Sequence, residues 1–269
     1  MGDVGVSVVI PHFEAAHSLE RALDSVAQQT RRPAEVFVVD DASSAPARAA
    51  TERVVARFRG LPCRLEVLPT NGGPGAARNR GWELATQPLV AFLDADDWWL
   101  PEKIERQSSV VLSSGLDAIS HPMICLGSRT ETAVSDPGED AAWTRLGTRQ
   151  WLTRNRFSTS GVMVRREVDE RFRAGMRFSE DYDLWLRIAF GGWATGVMHE
   201  SLGVRPDLPY RGTGLSSNLR AMEAGEIKAL LALRRSGLIR LPTAGAAIGL
   251  SLAKFAVRIA RSHRGRRSR

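Results

Sequence analysis

The chain has 269 residues, 43% of them apolar and 25% charged, which suits one large globular domain or a domain with an appendage. Its two cysteines, Cys63 and Cys125, lie far apart and resemble neither a disulfide framework nor a metal cluster, so a reduced, cytoplasmic setting is expected. The net charge of +7 equals the seven cations Lys254, Arg258, Arg261, Arg264, Arg266, Arg267 and Arg269, which leaves residues 1–253 formally neutral and argues against a nucleic-acid partner.

The start has no basic stretch followed by an apolar run, and no run reaches the length of a membrane span, so neither export nor a transmembrane anchor is expected. Val6-Ser7-Val8-Val9-Ile10 reads as a buried strand stopped by Pro11. Ser18 is suited to cap a helix bearing Leu19, Ala22, Leu23 and Val26. A second strand, 35–39, ends in Asp40-Asp41-Ala42-Ser43-Ser44, and a helix follows over about 46–59. Residues 65–68 form a third strand, followed by the loop Pro69-Thr70-Asn71-Gly72-Gly73-Pro74-Gly75 and a helix to Ala85. A fourth strand, Leu89-Val90-Ala91-Phe92-Leu93, runs into Asp94-Ala95-Asp96-Asp97.

Four alternations of strand and helix, with continuous apolar strands, predict a doubly wound, mostly parallel α/β sheet with helices on both faces. Ligands bind such sheets beyond the carboxyl ends of the strands, where all four polar clusters fall. Asp94 and Asp96 alternate on one side of an extended chain and offer hard oxygen ligands to Mg²⁺ or Mn²⁺; taken alone, the same acids also read as a helix cap. No glycine fingerprint of a dinucleotide site or a P-loop occurs.

Farther on, the pattern predicts a helix over 101–113, a strand over 117–121, a polar loop over 127–140, a helix over 148–154 and a strand over 160–165. Ser179 is placed to cap a helix opening with Glu180-Asp181-Tyr182-Asp183 and continuing Leu184-Trp185-Leu186. First-turn acids suit the helix dipole, but three of them beside an apolar face exceed what capping needs.

Six ordered motifs resemble the family-2 glycosyltransferases of GT-A fold. They are Ser7-Val8-Val9-Ile10-Pro11, the Arg21–Thr30 stretch, Val38-Val39-Asp40-Asp41-Ala42-Ser43, Gly73-Pro74-Gly75-Ala76-Ala77-Arg78-Asn79, Phe92-Leu93-Asp94-Ala95-Asp96-Asp97 and Ser179-Glu180-Asp181-Tyr182-Asp183-Leu184-Trp185-Leu186. The resemblance covers about residues 5–215. It implies a GT-A domain over 1–220, with a nucleotide-sugar half to about 100 and an acceptor half beyond, and a helical extension over 221–269.

The resemblance also implies a nucleotide-sugar donor, UDP-sugar ahead of dTDP- or GDP-sugar, a hydroxyl acceptor and a divalent metal. Phe13 would stack on the base, with Pro11 and Glu14 lining that pocket and Asp40 or Asp41 accepting from a base N–H. Gly73 and Arg78 would lie near the sugar or diphosphate, Asp94 near ribose or metal, and Asp96 on the metal. Asp181 would be the general base, with Glu180 and Asp183 orienting it or meeting the acceptor together with Trp185. One base opposite the departing diphosphate implies inversion.

The chain departs from the family pattern in His12-Phe13-Glu14, where a tyrosine and an asparagine are common, which leaves the base identity open. No histidine lies in Tyr210-Arg211-Gly212-Thr213-Gly214-Leu215-Ser216-Ser217, so His199 is either a third metal ligand or a strand-end residue with a local partner. A nucleotidyltransferase lacks its glycine-rich first loop here, and a non-catalytic sugar-nucleotide binder has little use for Asp181. From Pro242, Ile248, Leu252, Phe255 and Ile259 share one helical stripe while Lys254, Arg258 and Arg261 share another. This fits a helix lying on an anionic membrane at the inner face of the cell, or a packed terminal helix with a basic end.

Overall fold

The computed structural model describes residues 4–126, 143–206 and 218–267, with side chains through residue 259. The predicted loop 127–140, the stretch 210–217 and the side chains of Arg261 and the arginines after it lie outside the described residues.

The first hundred residues fold as their apolar pattern dictates. Strands β1 (Val6–His12), β2 (Glu35–Asp40), β3 (Cys63–Val67) and β4 (Leu89–Phe92) alternate with helices α1 (Ala16–Ala27), α2 (Ala45–Val55) and α3 (Pro74–Leu84). β1 pairs in parallel with β2 on one side and β4 on the other, so strand order reverses beside β1. A crevice at the carboxyl ends is the geometric consequence of that reversal.

Past β4 come β5 (Trp98–Trp99), α4 (Lys103–Ser114), β6 (Ala118–Ser120), β7 (Met123–Cys125), β8 (Trp143–Leu146) and α5 (Thr148–Trp151). A 3₁₀ turn, Thr159–Gly161, leads into β9 (Met163–Arg165), then α6 (Glu180–Phe190), β10 (Thr195–Met198), β11 (Gly203–Arg205), α7 (Leu219–Arg235) and α8 (Leu241–Arg267). The eight-stranded sheet has the order β3-β2-β1-β4-β9-β6-β10-β8, and β5-β11-β7 form a small second sheet. Within the eight-stranded sheet, β9 and β8 run against the other described strands, through the antiparallel pairs β4·β9, β6·β9 and β10·β8.

Because successive strand residues point to opposite faces, the sheet carries two cores. Val8, Ile10, Val36, Val38, Ala91 and Met163 meet α1 and α4 on one face. Val9, Phe37, Val39, Val90, Phe92 and Val164 meet α3, α6, α7 and α8 on the other.

Several local expectations shift. Helix α1 begins at Ala16, so Ser18 lies inside its first turn and its hydroxyl donates to the Ala15 carbonyl instead of capping. The predicted lipid-facing stripe of α8 is also redistributed. Ala244, Ala247 and Ser251 are buried, Ile248 packs on the core, and Leu252 is exposed. Lys254 donates to the Thr153 carbonyl, and Arg258 pairs with Glu223 at 2.7 Å and Glu226 at 3.6 Å, so two cations of the predicted basic stripe are tied to the protein. Among the described residues, no helix is long and apolar enough to cross a membrane.

Candidate active site

The loops beyond β1 and β2 are built around buried carboxylates. Asp40 is fully buried and accepts from His12 Nδ1 at 3.2 Å, from the Ser43 amide at 3.3 Å and from the Ser43 hydroxyl. Both oxygens of Asp41 are engaged at 2.7 Å by the amides of Gly72 and Gly73, and its carbonyl takes a bond from Asn71. The two acids expected to accept from a base N–H hold the neighbouring loops in place, and the Asp40 side chain is wholly buried, with both oxygens taken by His12 and Ser43. Glu14 does similar work, its carboxylate receiving the Ser44 amide at 2.6 Å at the start of α2. Phe13 stands at 51% exposure, a free aromatic face at the strand end, while Pro11 is buried below it.

Glycine is required at position 73, where φ is +85° and the chain turns directly into Pro74 of α3. Glu14, Ala42 and Ser179 adopt φ of 52°, 58° and 55° without being glycine. Such backbone is costly by about 1–3 kcal/mol each and concentrates at functional loops.

Arg78, on α3, joins the two halves of the chain. Its guanidinium donates to Asp94 at 2.7 Å and to Glu180 at 3.1 Å, 102 residues away in sequence, and lies 5.3 Å from the Phe172 ring. Burial disfavours its charge, but Asp94 and Glu180 more than restore it. The same pairing holds Asp94 below the usual carboxylate range although burial pushes the other way. Glu180 is 8% exposed; burial, then repulsion from Asp181, raises its pKa to about 7 against the pull of Arg78. Asp181 is raised as well, first by burial, and accepts from Asn155 Nδ2 at 2.8 Å.

The Asp94–Asp97 stretch divides by burial. Asp96 is exposed, with its carbonyl bonded by Arg21 at 3.1 Å. Asp97 is buried, receives the Ser160 hydroxyl at 2.6 Å and Arg205 at 3.4 Å, and is pushed up to about 7 by burial despite that arginine. It does not cap α4, whose N-cap is Glu102. The Ser160 hydroxyl also accepts the Asp94 amide at 3.1 Å, so one serine fixes both ends of the acidic turn.

Two acceptor assignments part from the fold. Trp185 is fully buried among Phe92, Phe157 and Phe172 and packs in the core, away from the cleft. Asp183 is 2% exposed and held by Arg173 and Arg187 at 3.2 and 2.9 Å. His199, after β10, bonds Thr144 at 2.7 Å, the local partner of a strand-end histidine. Sequence reasoning missed Ser160, Asn155 and Arg205 as supports, and Ser160 was read only as the first residue of a strand.

Asp94 and Asp96 are two hard carboxylates in the turn beyond β4, closed by the Asp97 amide on the Asp94 carbonyl at 3.1 Å, and not on one side of an extended chain as expected. This donor set fits a divalent ion that completes its shell with diphosphate and water. Among the described residues, no cluster of three potential ligands is present.

The parallel sheet with its crevice at β1 and β4, crossed by an arginine bridging two carboxylates, has the GT-A architecture. A mannosyltransferase from Pyrobaculum calidifontis, solved with GDP-Man and Mn²⁺, superposes with a TM-score of 0.69 at 18% identity, over 98% of this chain and 80% of that one. The sequence profile of glycosyl transferase family 2 matches residues 7–172, and the chain belongs to that family. The amylovoran biosynthesis glycosyltransferase AmsB of Erwinia amylovora is 37% identical over 111 residues, 41% of this chain. The match spans little more than a third of that relative's length, 37%. A UDP-Glc:α-D-GlcNAc-diphosphoundecaprenol β-1,3-glucosyltransferase of Escherichia coli, WfgD, is 28% identical over 70% of this chain and 71% of its own.

Proposed function

We propose that the protein transfers one sugar from a nucleotide-diphosphate sugar, a UDP-sugar in preference to a dTDP- or GDP-sugar, to a hydroxyl acceptor with inversion at the anomeric carbon. The observation that carries this reading is Arg78 bridging Asp94 to Glu180, which sets a nucleotide-half acid and the start of the base helix on one cation. Residues 1–220 form the transferase domain in this reading, and 221–269 its helical extension.

The base of the donor stacks on Phe13, between Glu14 and the loop that Asp41 holds. Arg78 offsets charge on the diphosphate. Asp181, oriented by Asn155, takes the proton of the acceptor hydroxyl as that oxygen bonds to the anomeric carbon. The bond from that carbon to the diphosphate oxygen breaks, the electron pair leaves with the nucleoside diphosphate, and attack from the opposite face inverts the centre. A divalent ion held by Asp96 and Asp94 would supply stabilisation of charge on the leaving diphosphate.

A lipid-linked acceptor agrees with the exterior of α8, where Leu250 and Val257, two turns apart on one face, are exposed ahead of an acid-free basic end. We infer peripheral contact with an anionic membrane through that face. Leu250→Asp with Val257→Asp should abolish flotation on vesicles containing anionic lipid; undiminished flotation contradicts it.

The test of the reaction class is thermal stabilisation by UDP-, GDP- and dTDP-sugars with Mn²⁺ or Mg²⁺, in the wild type and in Asp96→Ala. A ligand at a hundred times its Kd adds about 2.7 kcal/mol of stability. A rise in Tm with one nucleotide class, reduced in Asp96→Ala, supports the reading. No rise with any sugar nucleotide contradicts it.

A further inference from the structure

We infer that α7 is the seat of the base helix, and that Gly225 and Ser179 are positioning residues for Asp181; this rests on Asp181 being the base. Ser179 immediately precedes α6 and sits in the left-handed region at φ 55°. Serine rarely adopts that backbone, so something outside the helix must hold it. Its hydroxyl makes no cap bond within its own helix and donates instead to the Met222 carbonyl on α7 at 2.9 Å.

One turn along α7, the backbone itself closes on the same spot. A Cβ on Gly225 would stand 2.4 Å from the Phe178 carbonyl oxygen, 2.9 Å from its carbon and 3.1 Å from Ser179 Cβ. Two of those atoms are backbone and cannot swing aside. Only glycine lets α7 approach the two residues that launch Glu180 and Asp181.

The seat is anchored from behind. Glu223 is buried, accepts from Ser251 at 2.8 Å and pairs with Arg258 at 2.7 Å, tying α7 to α8. In front, Arg78 holds Glu180 and Asn155 holds Asp181. The first turn of α6 is therefore gripped between the nucleotide half and a helix hairpin that lies wholly beyond the residues matching the family profile, 7–172. The hairpin sets where the base carboxylate points, and the donor site does not depend on it.

The experiment compares Gly225→Ala, Ser179→Ala and Leu230→Ala in the full chain, with Asp181→Asn as reference. Nucleotide release is followed from UDP-, GDP- and dTDP-sugars, together with donor KM, Tm and the pH profile of kcat. Leu230 is a buried α7 residue on the core side, so its truncation loosens the hairpin without touching Ser179. Gly225→Ala should lower kcat about 10²-fold, the scale of an ångström's misplacement of a reacting group. Ser179→Ala should lower it about tenfold. Donor KM should stay within about threefold, and the acid limb of the kcat profile should move as the grip on Glu180 and Asp181 changes. Leu230→Ala should lower Tm and leave kcat of the folded protein unchanged.

Equal kcat losses in Gly225→Ala and Leu230→Ala at equal loss of Tm would overturn the seat, as would normal turnover in folded Gly225→Ala. If Gly225→Ala does not fold, Ser179→Ala carries the same comparison. Undiminished turnover in Asp181→Asn marks failure of the base assignment itself. An inactive Asp181→Asn beside fully active Gly225→Ala and Ser179→Ala marks failure of the seat alone.

Discussion

The two sides of the cleft are held in place by different means. On the nucleotide side, the loops after β2 and β3 are fixed by carboxylates from neighbouring loops, as Asp41 fixes Gly72 and Gly73 and Glu14 fixes Ser44. On the opposite side, Glu180 and Asp181 open a helix whose approach is set by α7, more than 40 residues later in the chain. Arg78 is the link between them, and Asp94 and Glu180 hold its charge. The loops after β2 and β3 thus form a frame tied mainly within the nucleotide half, whereas the base side is assembled from distant parts. Damage to the frame should weaken the donor, and damage to the base side should slow the chemistry.

Breaking the link should have the largest effect. Arg78→Ala leaves Asp94 and Glu180 facing each other without the buried cation between them, which costs about 3 kcal/mol of stability. Turnover should fall about 10²-fold or more, with donor KM and kcat both affected, because both sides lose the same partner. A variant that moved only one of the two would show that the sides are not coupled through Arg78.

Asp41→Ala isolates the frame. Removing the acceptor of two charge-assisted amide bonds should raise donor KM about tenfold through the loosened 71–73 loop and leave kcat at saturation within about twofold. Phe13→Ala should act in the same direction through lost stacking, a loss of about 1–3 kcal/mol in donor affinity. Isothermal titration with the nucleoside diphosphate checks both.

The smallest effect concerns the base side alone. The pKa of Glu180 is about 7 in the fold against 4.5 for an ordinary glutamate, so the folded state binds the proton more tightly. Its contribution to stability is complete below about pH 4.5 and is lost as pH rises to about 7. Glu180→Gln removes that titration and should flatten the fall of Tm between those pH values by a few degrees; an unchanged slope would contradict the buried, raised carboxyl.

The same contrast explains what the sequence could tell. The strands, the crevice at their carboxyl ends and the acids at each strand end were legible because those motifs are contiguous and strand periodicity fixes where the side chains go. Ser160, Asn155 and Arg205 were not, since each reaches the site only through tertiary pairing. Trp185 misled for a geometric reason: it stands one turn into α6 below Asp181, and one turn below the cleft is already core. Composition alone left the tail open between two readings. Its alanines and glycines let α8 bury Ala244, Ala247 and Ser251, as the packed terminal helix requires, and of the predicted apolar stripe Ile248 packs on the core while Leu252 stays exposed.

The central claim, that the donor frame and the base are separate devices meeting at Arg78, is tested most directly by Asp181→Asn. Nucleoside diphosphate affinity and sugar transfer are measured on the same protein. The account predicts affinity within about twofold of wild type and transfer reduced by about 10²- to 10⁴-fold, the range a general base contributes. Transfer at the wild-type rate, or loss of nucleotide affinity in step with transfer, would contradict it.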